Sequence, residues 1–151
     1  MSIFHSMDTT GSALTAQRLR MDVISSNMAN ADTTRAKRVN GKWVPYTRKT
    51  VTLTPKEGSF SNYLNVAMGG NDKMGNGVKV SSINEDTSTP YKLVYDPTNP
   101  DADKDGYVQT SNVDSLKEMV NLISATRSYE ANVTVFNANK SMLSKALEIG
   151  K

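Results

Sequence analysis

The chain is 151 residues long, with 18 lysines and arginines against 15 aspartates and glutamates, a net charge of +3, no cysteine and a single histidine. A chain of this size forms one domain, or a small domain with extended elements, and buries only about two thirds of the surface its unfolded form exposes, which argues against a large multi-part active site. The lack of cysteine excludes disulfides, thiolate nucleophiles and sulfur-rich metal sites, and a lone His5 leaves no histidine cluster and only a remote route to a Ser-His-Asp arrangement.

The start, MSIFHSMDTTG, carries an aspartate and lacks a basic cluster followed by an apolar core, so it does not read as a signal peptide. No run reaches the roughly eighteen apolar residues of a membrane span. Met7, Leu14, Met21 and Met28 then recur every seven residues, with Ile3, Gln17 and Ile24 on the neighbouring stripe. This heptad seam, interrupted at Thr10 and Gln17, predicts a helix over residues 5–30, about 39 Å long at a rise of about 1.5 Å per residue.

The helix runs into SSNMANADTTRAKR, Ser25 to Arg38, a polar stretch where one glycine would end a helix more simply. Small residues at Ser25, Ser26, Ala29 and Ala31 permit close approach by a neighbour. The side chains of Asn27, Asn30 and Asp32 can hydrogen-bond the fraying backbone or an adjacent subunit. The basic residues Arg35, Lys37, Arg38, Lys42, Arg48 and Lys49 follow, and invite a polyanion reading that no nucleic-acid motif supports.

Residues 39–110 have β character. Lys42–Tyr46, Thr50–Thr54, Val78–Ile83 and Tyr91–Tyr95 are short runs rich in branched and aromatic residues. Between the second and third, MGGNDKMGNG (Met68–Gly77) predicts a long loop. Asp101, Asp103, Asp105 and Gly106 spell the first half of a calcium loop, but its twelfth position is Asn112 in place of the bidentate glutamate. The alternative is an Asx-rich turn leading into a short strand over Gly106–Gln109.

A second helix is expected from Ser111 or Asn112 to Gly150. Leu122, Tyr129, Phe136 and Leu143 repeat every seven residues, and Met119, Thr126, Val133 and Leu147 fill the adjacent stripe. Asp114 and Glu118 stand in its first turns and Lys140 and Lys145 approach its end, the order a helix dipole favours. The expected fold is α+β: long N- and C-terminal helices packed as a coiled-coil-like rod with a small β-rich insertion. The division is residues 1–34, 35–110 with its glycine-rich loop at 68–77, and 111–151. An ordinary helical hairpin within one chain fits the same pattern. Against it stand Gln17, Asn132, Asn137 and Asn139, which suit surfaces that meet further helices better than a self-sufficient core.

Gly11–Thr34, GSALTAQRLRMDVISSNMANADTT, resembles the N-terminal signature of the flagellar rod, hook and hook-associated axial proteins, with Ser25, Asn27, Ala29, Asn30 and Thr33 at its characteristic positions. The closing segment from Ser115 resembles their C-terminal signature, with Ser128, Tyr129, Glu130, Ala131 and Asn132 following Arg127. Val94–Val108, VYDPTNPDADKDGYV, is similar to the segment before the last helix in rod members of the family. One departure is Ser111, where the family more often has proline; a serine can still cap the helix.

The resemblance implies a non-enzymatic structural subunit of the flagellar basal-body rod. It would leave through the flagellum's own export apparatus without a cleaved signal peptide, and assemble beyond the cytoplasmic membrane with copies of itself and other rod and basal-body proteins. No cofactor, metal, nucleic acid or small-molecule substrate is expected. The implied subunit interface comprises Leu14, Met21, Ser25, Asn27, Met28, Ala29, Asn30 and Thr33 in the first helical part, and Tyr129, Glu130, Asn132, Phe136 and Leu143 in the second. The competing readings are a small soluble enzyme, or a cation- or polyanion-binding module using the Asp101–Asp105 turn or the Arg35–Lys49 cluster.

Overall fold

The structure, a computed structural model, describes residues 3–56, 64, 67–68 and 75–149. Helix α1 covers Ile3–Ala29 and helix α2 covers Ser115–Ile149. Between them lie β1 (Lys37–Val39), β2 (Lys42–Val44), β3 (Lys49–Pro55), β4 (Val78–Glu85), β5 (Lys92–Tyr95) and β6 (Tyr107–Thr110), paired as the two-stranded sheets β1–β2, β3–β4 and β5–β6. The α+β class holds, with the helices packed together and the strands inserted between them in sequence. Of the loop expected at 68–77, residues 69–74 lie outside the described residues.

Both helix ends are set by side chains. At the end of α1 the Ser26 carbonyl accepts twice from Asn30, from its main-chain N–H at 3.2 Å and from its side-chain amide at 2.8 Å, which closes the last turn. Helix α2 starts later than expected. Its N-cap is Asp114, whose Oδ1 accepts the N–H groups of Leu116 at 3.1 Å and Lys117 at 3.3 Å. Ser111 and Asn112 do not cap it, because the Ser111 hydroxyl accepts the Val113 N–H and the Asn112 amide is engaged with other segments.

The contacts divide the chain into two compact units. The first joins Met1–Arg20, Thr52–Ser82 and Ala125–Lys151. Here the helices are tied by polar atoms, the Asn139 amide donating to the Ser6 hydroxyl at 2.9 Å. The start of β4 closes on α1: the Val78 N–H donates to Ser12 Oγ at 3.1 Å and the Thr9 hydroxyl to the Gly75 carbonyl at 3.3 Å. Gly77 permits this approach, having a φ of +92° and no side chain to collide with Ser12.

The second unit joins Met21–Val51 and Ile83–Ser124. It contains the β1–β2 hairpin, turned at Asn40 and Gly41 with φ of 50° and 82°, and the antiparallel β5–β6 hairpin. Its core includes Ile24, Tyr46, Val108 and Val113, together with buried Asn27, Thr47, Ser111, Asn112 and Glu118. Asn27 near the end of α1 bonds Glu118 near the start of α2, as an antiparallel helix pair requires.

Along α2 the buried stripe is one residue out of phase with the expected one. Glu118, Ala125 and Asn139 are buried and Asn132 is half-buried, while Met119 and Leu147 are exposed. The seam of Leu122, Tyr129, Phe136 and Leu143 is half-buried throughout. Small and polar side chains therefore carry the helix contact, and an apolar face is left outside.

Candidate functional site

The chemistry of the described residues gathers at Asn27. Its Nδ2 donates to the Lys49 carbonyl at 2.8 Å and its Oδ1 accepts the Lys49 N–H at 2.9 Å, so the side-chain amide pairs with both main-chain groups of one strand residue. The same carboxamide donates to Glu118 Oε2 at 3.1 Å and accepts the Tyr46 hydroxyl at 3.1 Å. Aspartate would lack the donors, and glutamine would carry the amide one methylene too far.

Glu118 passes the connection on. Its Oε1 accepts from Arg48 Nε at 2.9 Å and Nη2 at 2.7 Å, a two-pronged ion pair in which the carboxylate is 1% exposed. The Arg48 N–H donates to Asn112 Oδ1 at 2.7 Å, and the Asn112 amide donates to the carbonyls of Asp86 at 2.9 Å and Thr89 at 3.0 Å. Asp86 lies 3.5 Å from Arg48 Nη1. Hydrogen bonds from Ser88 above all, and from Thr89, hold its carboxyl down at about 2. One polar network thus joins the end of α1, the start of β3, the link between β4 and β5, and the start of α2.

The remaining charges of this unit are mostly consumed internally. Arg35 Nε donates to Asp101 Oδ1 at 2.6 Å and the Thr34 hydroxyl to Asp101 Oδ2 at 2.9 Å; Arg35 holds the Asp101 carboxyl below its ordinary range. Lys37 pairs with Glu85 at 2.6 Å, Arg38 donates to the Gly41 carbonyl, and the Lys49 ammonium sits 5.7 Å from the centre of the Tyr46 ring. The basic cluster is therefore largely spent on the chain's own acceptors. Asp101 is occupied by Arg35, Asp103 and Asp105 are exposed, and among the described residues no group of three His, Cys, Asp or Glu could hold a metal ion.

The expected interface residues fall in both units. Leu14, Tyr129, Asn132, Phe136 and Leu143 of the first are half-buried and Glu130 is exposed. In the second, Met21, Met28, Asn30 and Thr33 are half-buried and Ser25 and Ala29 exposed, whereas Asn27 is 1% exposed with its amide spent inside the chain. Nothing in the sequence marks Tyr46, Arg48, Asp86 and Asn112 as partners of the Asn27 motif, and Glu118 stands out there only as a charge that favours the helix dipole. Exposed apolar side chains lie elsewhere on α2: Leu116, Val120 and Ile123 in the second unit, and Val135, Met142 and Ile149, seven residues apart, in the first.

A long helix bearing a signature segment at each end of the chain, with a β insertion between them, is the arrangement of an axial structural protein. Two family models match: "Flagella basal body rod protein" over residues 7–37 and "Flagellar basal body rod FlgEFG protein C-terminal" over residues 104–149. Relatives named flagellar basal-body rod protein FlgC are similar along their whole length. That of Bacillus subtilis is 66% identical over 151 residues covering all of both chains, that of Borreliella burgdorferi 44% identical over 99% of this chain and 98% of its own, and that of Salmonella typhimurium 42% identical over all of both. The chain belongs to the FlgC family of flagellar basal-body rod proteins.

Proposed function

We propose that the chain is a structural, non-enzymatic subunit of the bacterial flagellar basal-body rod. It assembles through its terminal helices into the axial tube that transmits torque and lets exported subunits pass. The observation that carries this reading is an exposed apolar stripe on α2 in each unit taken by itself. Leu116, Val120 and Ile123 stand at i, i+4 and i+7, and Val135, Met142 and Ile149 at heptad spacing, all exposed although α2 is already paired with α1. Such a face is an expense for a monomer and an asset for a subunit whose neighbours cover it.

In this reading the terminal parts, residues 1–34 and 111–151, make the axial contacts and residues 35–110 form a separate middle part. Ser25, Ala29 and Glu130 meet neighbours directly, the half-buried Leu14, Met21, Met28, Asn30, Thr33, Tyr129, Asn132, Phe136 and Leu143 border them, and Asn27 contributes by fixing the segment that follows it. The partners are copies of this chain and other rod and basal-body proteins. The chain reaches them through the flagellar export apparatus with no segment removed, and works beyond the cytoplasmic membrane. Among the described residues no helix is long and apolar enough to cross a membrane.

The test is complementation in cells lacking the gene. Chains without residues 3–29 or 115–149 should fail to restore swimming, and wild-type swimming with either would overturn the proposal. Intact mass of the chain recovered from basal bodies tests the export reading.

A further inference from the structure

The second unit contains a polar cleft of about 380 Å³ that its internal contacts leave unused. Lys42 and Trp43 of β2, Gln109 of β6, and Thr34, Asp101 and Asp103 from the links line it. One wall is preformed: Asp101 accepts from the Thr34 hydroxyl at 2.9 Å and from Arg35 Nε at 2.6 Å, which fixes its carboxylate and balances its charge. On β6, Val108 is 2% exposed and faces the core, so Gln109 stands on the outer side of the strand. The Asp103 N–H donates to the Tyr107 carbonyl at 2.9 Å, which holds Asp103 beside the same strand.

The remaining groups of the cleft are unspent. Among the described residues the Lys42 ammonium, the Asp103 carboxylate, the Gln109 carboxamide and the Trp43 indole N–H make no hydrogen bond or ion pair. Trp43, the chain's one tryptophan, is 54% exposed and supplies an aromatic face. The cleft therefore offers a flat apolar surface, an acceptor, a donor, and an amide that is both.

We infer that this cleft binds a saccharide, one pyranose ring lying on the Trp43 indole with its hydroxyls bonded to Asp103, Gln109 and Lys42. The face of a pyranose is a patch of C–H groups that an indole covers, and its rim is a row of hydroxyls, each donor and acceptor at once. The two free charges, Lys42 and Asp103, are opposite in sign, and Asp101 is balanced by Arg35, so the cleft suits a neutral ligand better than a phosphate or a cation. Its volume falls in the small-molecule range, too small for a partner helix. The inference adds a ligand to the β insertion and does not rest on the rod-subunit reading.

Trp43 reports on the cleft by its own fluorescence, because no other tryptophan is present. Titration of the full chain with glucose, N-acetylglucosamine and the β-1,4-linked trimer of each should change that emission saturably for at least one of them. A trimer that binds more tightly than its monomer places the ring in a glycan chain, and equal affinity makes the ligand a free sugar. Gln109→Ala and Asp103→Ala should each weaken binding by about threefold or more with unchanged circular dichroism. Trp43→Ala, followed by calorimetry, should weaken it by about tenfold or more. If that variant unfolds, amide shifts on the wild-type chain decide: saturable shifts centred on Trp43, Asp103 and Gln109 support the inference, and shifts elsewhere overturn it. No saturable change with any of these sugars at tens of millimolar would overturn it, as would binding unaffected by Q109A and D103A together. Adenosine saturating the cleft where the sugars do not would overturn the ligand class. None of these results bears on entry into basal bodies, so the rod reading stands or falls separately.

Discussion

The Asn27 side-chain amide donates to Glu118 Oε2 at 3.1 Å, joining residues 91 positions apart at the C-terminal end of one helix and the N-terminal end of the other. The asparagine sits in the family's N-terminal signature, and the glutamate near the start of its C-terminal helix. What the pair holds is the position of the polar segment after α1, because the same amide also fixes both main-chain groups of Lys49.

Asn27→Ala should therefore destabilise the isolated chain. It leaves the Lys49 main chain and the Tyr46 hydroxyl short of partners, at about 1–3 kcal/mol for each buried group left unsatisfied. Asn30→Ala removes the bond to the Ser26 carbonyl and a long one from the Thr33 hydroxyl, both near solvent, and should cost about 1 kcal/mol or less. Urea unfolding followed by circular dichroism separates the two; equal stability of the N27A chain would show that the network contributes nothing measurable.

Arg48→Ala should cost more than Glu118→Ala. Removing the guanidinium leaves the Glu118 carboxylate, 1% exposed, with only amide donors, a loss of about 3 kcal/mol or more for a charge left buried without its partner. Removing the carboxylate leaves Arg48 22% exposed, where water and Asp86 at 3.5 Å take over in part. A double-mutant cycle should give a coupling of at least about 1 kcal/mol between neighbours of this kind. Strictly additive effects would contradict the ion pair.

Asp86 gives the fold an acid limit. Its folded carboxyl titrates at about 2 against an ordinary 3.8, so its stabilising contribution is complete above about pH 4 and lost as pH falls through about 2. The stability difference between wild type and Asp86→Asn should be constant from neutral pH to about 5 and shrink below about 4. Unfolding at a series of pH values checks this, and a gap unchanged at pH 2 would exclude the mechanism.

Gly77→Ala should loosen the first unit. At a φ of +92° any side chain is strained, and a Cβ would press on Ser12, whose hydroxyl holds the Val78 N–H. A loss of at least about 1 kcal/mol is expected, with faster amide exchange at Val78. Substitution at Gly11, around whose Cβ position there is open space, is the control.

The acidic turn should behave as structure. Asp101→Asn weakens the tie to Arg35 and Thr34, whereas Asp103→Asn and Asp105→Asn should stay within about 0.5 kcal/mol of wild type. Calorimetric titration with millimolar calcium should give no saturable heat, and a one-site isotherm lost in the triple variant would restore the cation reading.

Much of this architecture can be read from local pattern. Heptads place both helices, branched and aromatic runs place β2 to β5, and the glycine after Asp105 marks the turn into β6. Strand β1 was hidden because Lys37 and Arg38 look like a solvated basic run, although Asn40-Gly41 is a recognisable hairpin turn. The network was not legible for a different reason. Nothing in the sequence around Asn27 indicates that its amide will meet Lys49, Tyr46 and a glutamate on the last helix, since that pairing is created by the packing of distant segments. The one-residue phase error along α2 has the same origin: apolar Met119 outranks Glu118 in any hydrophobic count, and only the partners of Glu118 explain its burial.

The most direct test of the account is electron microscopy of basal bodies purified from cells lacking this gene, with and without the wild-type chain supplied in trans. The account predicts incomplete rods and no swimming without the chain, and complete rods containing it when it is restored. Complete rods and normal swimming in its absence would contradict the assignment.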